Sequence, residues 1–178
     1  TRRSSDLPDE LNAIQLRFGF EGVAEYDGKV YVAFQRAWGE EENPRIGIYD
    51  SATETWSFVF YPLDASESQA GGWVGLSDIT SLGDGSFLVI ERDNQGGPDA
   101  AIKRLYKVEL ANAEAGSTVS KTLVRDILED LKAPGGLVPE KIEGSAVLPN
   151  GDVWIVNDND GVDDNSGETQ LINLGKIL

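Results

Sequence analysis

One supersecondary pattern occurs three times in the 178 residues, and it narrows the folds open to the chain. Phe20-Glu21-Gly22-Val23-Ala24 leads through Asp27-Gly28 into Lys29-Val30-Tyr31-Val32-Ala33-Phe34-Gln35. Leu76-Ser77-Asp78-Ile79-Thr80 leads through Asp84-Gly85 into Ser86-Phe87-Leu88-Val89-Ile90-Glu91-Arg92. Ile142-Glu143-Gly144-Ser145-Ala146 leads through Asn150-Gly151 into Asp152-Val153-Trp154-Ile155-Val156-Asn157-Asp158. Each unit is a short strand of small residues, a tight turn, and a strand rich in β-branched or aromatic side chains. Asp-Gly and Asn-Gly suit hairpins because both central residues of a type I′ turn need positive φ. The turn glycines Gly28, Gly85 and Gly151 recur at roughly 60 residues, within reach of propeller-blade repeats.

More strand follows each hairpin. Arg45–Tyr49 and Trp56–Phe60 follow the first, and Ile102–Val108 and Ser120–Val124 the second. After the third only Gln170–Leu174 remains. The expected fold is all-β, a partial β-propeller of about three four-stranded antiparallel blades, the last lacking a strand. The blades fall at about 18–63, 74–125 and 140–175, within one partial domain spanning 1–178. Asp126-Ile127-Leu128-Glu129-Asp130-Leu131-Lys132 has helical spacing and stops before Pro134-Gly135-Gly136, which predicts a short helix at 126–132. Propellers close with about four to eight blades, and open blade edges and faces invite aggregation. The remaining blades are therefore expected from an N-terminal half of the same precursor or from another chain. The lack of any Met points the same way.

Composition excludes several chemistries. Without Cys there is no thiolate catalysis or Cys–zinc site, and without His the commonest general base and metal ligand are gone. Catalysis would fall to carboxylates, hydroxyls, Lys, Arg or a bound metal. The net charge of -16 disfavours nucleic acid and anionic lipid and favours divalent cations. No apolar run approaches the roughly 20 residues of a membrane span, and no apolar stretch follows Thr1-Arg2-Arg3 as in a signal peptide. The glycine-rich stretches Gly96-Gly97-Pro98 and Gly135-Gly136 lack the context of a phosphate loop, and Ser77 and Ser145 lack a nucleophile elbow.

Blade topology places the candidate chemistry. The first–second turns are minimal, whereas the second–third loops are long and polar: 36–44, 93–100 and 159–169. Long loops on a rigid frame commonly carry sites. First strands conventionally line a propeller's channel, so Glu21, Asp78 or Ser77, and Glu143 are expected at its mouth. Gln35, Glu91, Arg92, Asp93, Asp158 and Asp160 are expected nearby, with Arg36, Arg92 and Lys141 offsetting part of the carboxylate charge. Asp158-Asn159-Asp160-Gly161-Val162-Asp163-Asp164-Asn165 suits Ca²⁺, a hard ion wanting six to eight oxygens, although it is not an EF-hand loop. Trp38 and Trp73 lie in loops on the same polar face.

Together the segments GFEGVAEYDGKVYVAFQ, GLSDITSLGDGSFLVIERDN and KIEGSAVLPNGDVWIVNDND resemble the phytase-like family, described by its esterase-like activity of phytase. The resemblance spans roughly 18 to 175. It implies an exported, secreted or periplasmic propeller of about twice this length, hydrolysing phosphate or carboxylate esters with calcium assistance. On that reading Glu21, Glu91, Asp93, Glu143, Asp158 and Asp160 match the family's acidic positions. The candidate catalytic set is Glu21, Glu91, Arg92 and Glu143, and the candidate calcium ligands are Asp93, Asp158, Asp160 and Asp163. Arg92 or Lys141 would hold the anion. The alternative is a non-catalytic calcium-binding propeller that acts as a binding or scaffold module.

Overall fold

A computed structural model describes residues 17–133, 137–159 and 169–178. Within them the chain forms three antiparallel sheets in strict sequence order. The first holds β1 (Phe20–Tyr26), β2 (Lys29–Phe34), β3 (Arg45–Asp50) and β4 (Thr55–Phe60). The second holds β5 (Val74–Ser81), β6 (Ser86–Asp93), β7 (Lys103–Glu109) and β8 (Lys121–Asp126). The third has the three strands β9 (Ile142–Val147), β10 (Val153–Asn157) and β11 (Leu171–Gly175). Each first strand lies beside that of the next sheet, β1 by β5 and β5 by β9, which is consistent with part of a propeller.

The turn chemistry explains the hairpins. Gly28, Gly85 and Gly151 all have positive φ, and in the first turn Asp27 does too. Asp84 and Asn150 each accept a hydrogen bond from the backbone N–H two residues on, at 3.0 Å in both cases. The short helix α1 runs Leu128–Lys132. It starts later than the sequence predicts because Asp126 ends β8 instead, with its Oδ1 accepting the Leu128 N–H at 3.1 Å.

The second sheet is covered on both faces, so every residue of β6 is buried. The period-two pleat divides its side chains between two cores. Phe87 and Val89 join Tyr31, Ile46, Val59 and Tyr106 between the first and second sheets. Leu88 and Ile90 join Leu105, Leu131, Ile142 and Ile155 between the second and third. Main-chain contacts reinforce the packing: the Leu76 N–H donates to Gln35 O at 2.9 Å, and the Val119 N–H to Phe60 O at 2.9 Å. At Gly22 the first strands come so close that a Cβ would lie 2.4 Å from Ile79 N.

Candidate functional site

Every first strand carries an irregularity at the same place. Pairing skips between Phe20 and Val23, between Leu76 and Asp78, and between Ile142 and Gly144. The extra residues are Glu21-Gly22 opposite one partner, Ser77, and Glu143. A β-bulge re-aims side chains and often stands beside functional sites. Here it recurs at the first-strand positions expected at the mouth.

Two of the four residues predicted to be catalytic are in direct contact. Arg92 Nη2 donates to Glu143 Oε1 at 2.6 Å, and Nη1 lies 3.9 Å from Glu140 Oε1. Glu21, exposed at the rim, feels both partners. Partial desolvation, and next the charge of Glu143, push its carboxyl pKa up, while Arg92 and Lys141 pull the other way. Lys141 also lies 3.9 Å from Asp158, whose N–H donates to Lys141 O at 3.0 Å. Glu21, Arg92, Glu143, Lys141 and Asp158 thus form one charged group at one end of the strands. Such an arrangement can hold a proton on one carboxyl and fix the other beside a cation, the division that acid–base chemistry between two carboxyls requires.

Glu91 and Asp93 do not join this group. Glu91 shares the pleat face of Phe87 and Val89, so it points towards the first sheet, and it is fully buried. Its Oε1 accepts the Asp64 N–H at 2.6 Å, and its Oε2 accepts Lys121 Nζ at 2.6 Å. Burial raises its pKa, and Lys121 opposes the rise. Asp64 extends this network to Arg104 and to the Tyr106 hydroxyl, both at 2.6 Å. Asp93 is equally buried: its Oδ2 accepts the Ala101 and Ile102 N–H groups, and its Oδ1 accepts Lys103 Nζ at 2.8 Å. The same ammonium donates to the carbonyls of Asp93, Gln95 and Glu140. Burial lowers the Lys103 pKa to about 8, with Asp93 opposing.

The place a cation would take at Asp93 is filled by the Lys103 ammonium, so Asp93 does not fit a calcium site. Among the described residues no three acidic side chains converge as a metal site would need. Asp158 stands beside Lys141, while Asp160 and Asp163 lie outside the described residues. The serines hold sheets together: Ser77 Oγ donates to Ile142 O at 2.6 Å, and Ser145 Oγ to Asp78 Oδ2 at 2.7 Å.

Sequence reasoning missed the pairing of Lys103 with Asp93 and the Asp64 network. The available signal was weak, a lysine beside the apolar Ile102 in a strand that also carries Arg104 and Lys107, since a buried ammonium needs an acceptor set. The two loop tryptophans diverge. Trp38 is core, tilted against Phe34 with ring centroids 4.7 Å apart, whereas Trp73 is half-buried beside two arginines. A comparison with protein families matches residues 1–161 to one described as phytase-like, with esterase-like activity of phytase. No curated protein matches the chain significantly.

Proposed function

The chain belongs to the phytase-like family, and from that premise we propose that it hydrolyses phosphate or carboxylate esters at the mouth built from Glu21, Arg92 and Glu143. The observation that carries this reading is the unequal carboxyl pair. Glu21 keeps its proton to higher pH than an ordinary glutamate, and Glu143 is fixed by the Arg92 guanidinium. In the proposed reaction water attacks the ester centre and gives a proton to Glu143. The bond to the leaving oxygen breaks, and that oxygen takes the proton of Glu21. Arg92 holds Glu143 in the orientation for this transfer.

Calcium assistance belongs to the proposal through the acidic run that begins at Asp158. No step above passes through the ion, and its role is read from the assay. Export to the periplasm or the medium, and completion of the propeller by further blades, are proposed on the same family grounds.

The test is turnover of p-nitrophenyl phosphate and p-nitrophenyl acetate by the full chain, with calcium and with EDTA. Glu143→Gln is expected to lower kcat by about 10²–10⁴-fold, the usual contribution of a positioned acid or base, with the protein still folded at the assay temperature. No turnover under any metal condition sinks the hydrolase reading. Calcium-dependent stabilisation without turnover supports the binding or scaffold reading in its place.

A further inference from the structure

Two guanidinium groups share one indole on the loop face. The Arg36 guanidinium carbon lies 5.1 Å from the Trp73 ring centroid, and that of Arg92 lies 5.6 Å from it. Arg36 also stacks on Phe18 at 4.9 Å, and Phe18 meets Trp73 edge-on at 5.3 Å. Stacking occupies the face of a guanidinium and leaves its N–H edge free. Among the described residues Arg36 makes no ion pair, unlike Arg45, Arg92, Arg104 and Arg125. Arg92 is 97% buried by its 3% exposure, yet its Nε has no hydrogen-bond partner. A buried donor left without a partner is destabilising.

The platform is built rather than incidental. The Trp73 backbone is clamped by Asn94, whose Oδ1 accepts the Trp73 N–H at 2.7 Å and whose N–H donates to Trp73 O at 3.0 Å. Gly75 makes room for the crossing: a Cβ there would lie 2.9 Å from the indole and 3.4 Å from Arg36 Cγ. Phe18 sits at φ 61°, a backbone conformation that bulky residues seldom adopt and that tends to mark functional sites. Arg36 and Trp73 open into a cleft of about 580 Å³ between loops 36–43 and 63–74. Of the acids lining it, Asp64 is paired with Arg104 and Lys121, Glu41 is paired with Arg45 through Oε1 while its buried Oε2 has no partner, and Glu42 is exposed.

We infer that Arg36 and Trp73, with Arg92 packed on the same indole, form an oxyanion-binding subsite, which grips the phosphate or carboxylate oxygens of a ligand entering this cleft. This rests on the hydrolase reading only in its choice of ligand. Arg36 supplies the free fork and Trp73 the rigid platform, and Arg92, which does not line the cleft, packs against the same indole. Because Arg92 packs on the indole and also holds Glu143, the platform and the reacting carboxyls are joined through one side chain.

Inorganic phosphate, with acetate as the second probe, is titrated calorimetrically into the full chain and into Arg36→Gln and Arg36→Lys. Arg36→Gln is expected to weaken phosphate binding at least about tenfold at unchanged Tm. Arg36→Lys is expected to fall between, since a lysine keeps the charge and loses the stacked fork. Tighter binding of acetate than of phosphate assigns the subsite to carboxylates. Kinetically, Arg36→Gln should raise KM for p-nitrophenyl phosphate more than for neutral p-nitrophenyl acetate. Equal phosphate and acetate affinities in wild type and Arg36→Gln, or no binding of either by wild type up to about 10 mM, overturns the subsite. Loss of binding in Arg36→Gln from a protein that turns over nothing leaves the subsite standing and removes the hydrolase reading.

Discussion

Lys103 spends its charge inside the protein, donating to Asp93 and three backbone carbonyls with no exposed surface. Breaking such a pair from one side leaves an uncompensated buried charge, which typically costs about 3–5 kcal/mol. Lys103→Met is therefore expected to lose about that much stability in urea denaturation, and adding Asp93→Asn should recover part of it. Glu91 gives a pH signature. Burial raises its folded pKa, so the folded state binds more protons than the unfolded one above the ordinary glutamate range. The stability it contributes is complete below its unfolded pKa and is lost as pH rises through the raised value. Glu91→Gln should flatten that fall, as seen by comparing denaturation midpoints across the acid range.

The first strands of the sheets behave as one element type with three local versions. Two bulge at the second or third residue and the middle one at its fourth, Ser77, and a glycine lies at or beside the bulge in two, Gly22 and Gly144. The neighbours of those glycines differ. A Cβ at Gly22 would meet the backbone of Asp78 and Ile79, while at Gly144 it would meet Val156 Cγ1 at 2.7 Å. Backbone cannot rotate away and a valine methyl can. Gly22→Ala is expected to cost about 1–3 kcal/mol, the range of overpacking, and Gly144→Ala distinctly less, by chemical denaturation of each variant. The hairpins themselves were legible because a turn is decided by adjacent residues such as Asp84-Gly85. Which way Glu91 and Arg92 face was not. Phe87-Leu88-Val89-Ile90 is apolar on both sides, so no alternation marks the two faces, and only the sheets packed on either side separate them. The position of Glu21 and Glu143 at the mouth could be argued from blade convention. The link from Arg92 to Glu143 joins residues 51 apart on different sheets, which no local pattern encodes.

Across the whole chain the formal charge of -16 makes self-repulsion a global term. Salt screens it over about 10 Å at 0.1 M, so Tm is expected to rise between 10 and 150 mM sodium chloride, measured by differential scanning fluorimetry. Two further exposed apolar side chains bear on assembly, Val23 at 68% and Leu171 at 67%. They lie on the first and third sheets, the two that the described residues cover from one side only. On the proposal that further blades complete the molecule, the isolated chain should associate as its concentration rises in sedimentation velocity. A chain that stays monomeric throughout would count against it.

The tight turns have a practical consequence that follows from their distance from the mouth. At Asp27-Gly28 and Asn150-Gly151 the chain reverses at the end of the sheets opposite Glu21 and Glu143, in exposed or half-exposed backbone. At the first turn the Gly28 carbonyl accepts from the Ser51 N–H at 3.3 Å and from its hydroxyl, while at the other Asn150 bonds its neighbour Asp152. A peptide tag or a surface linker grafted between the strands at either turn would tether the protein in a single orientation. The loop cleft would then face outward to solvent, ready for immobilised or single-molecule assays.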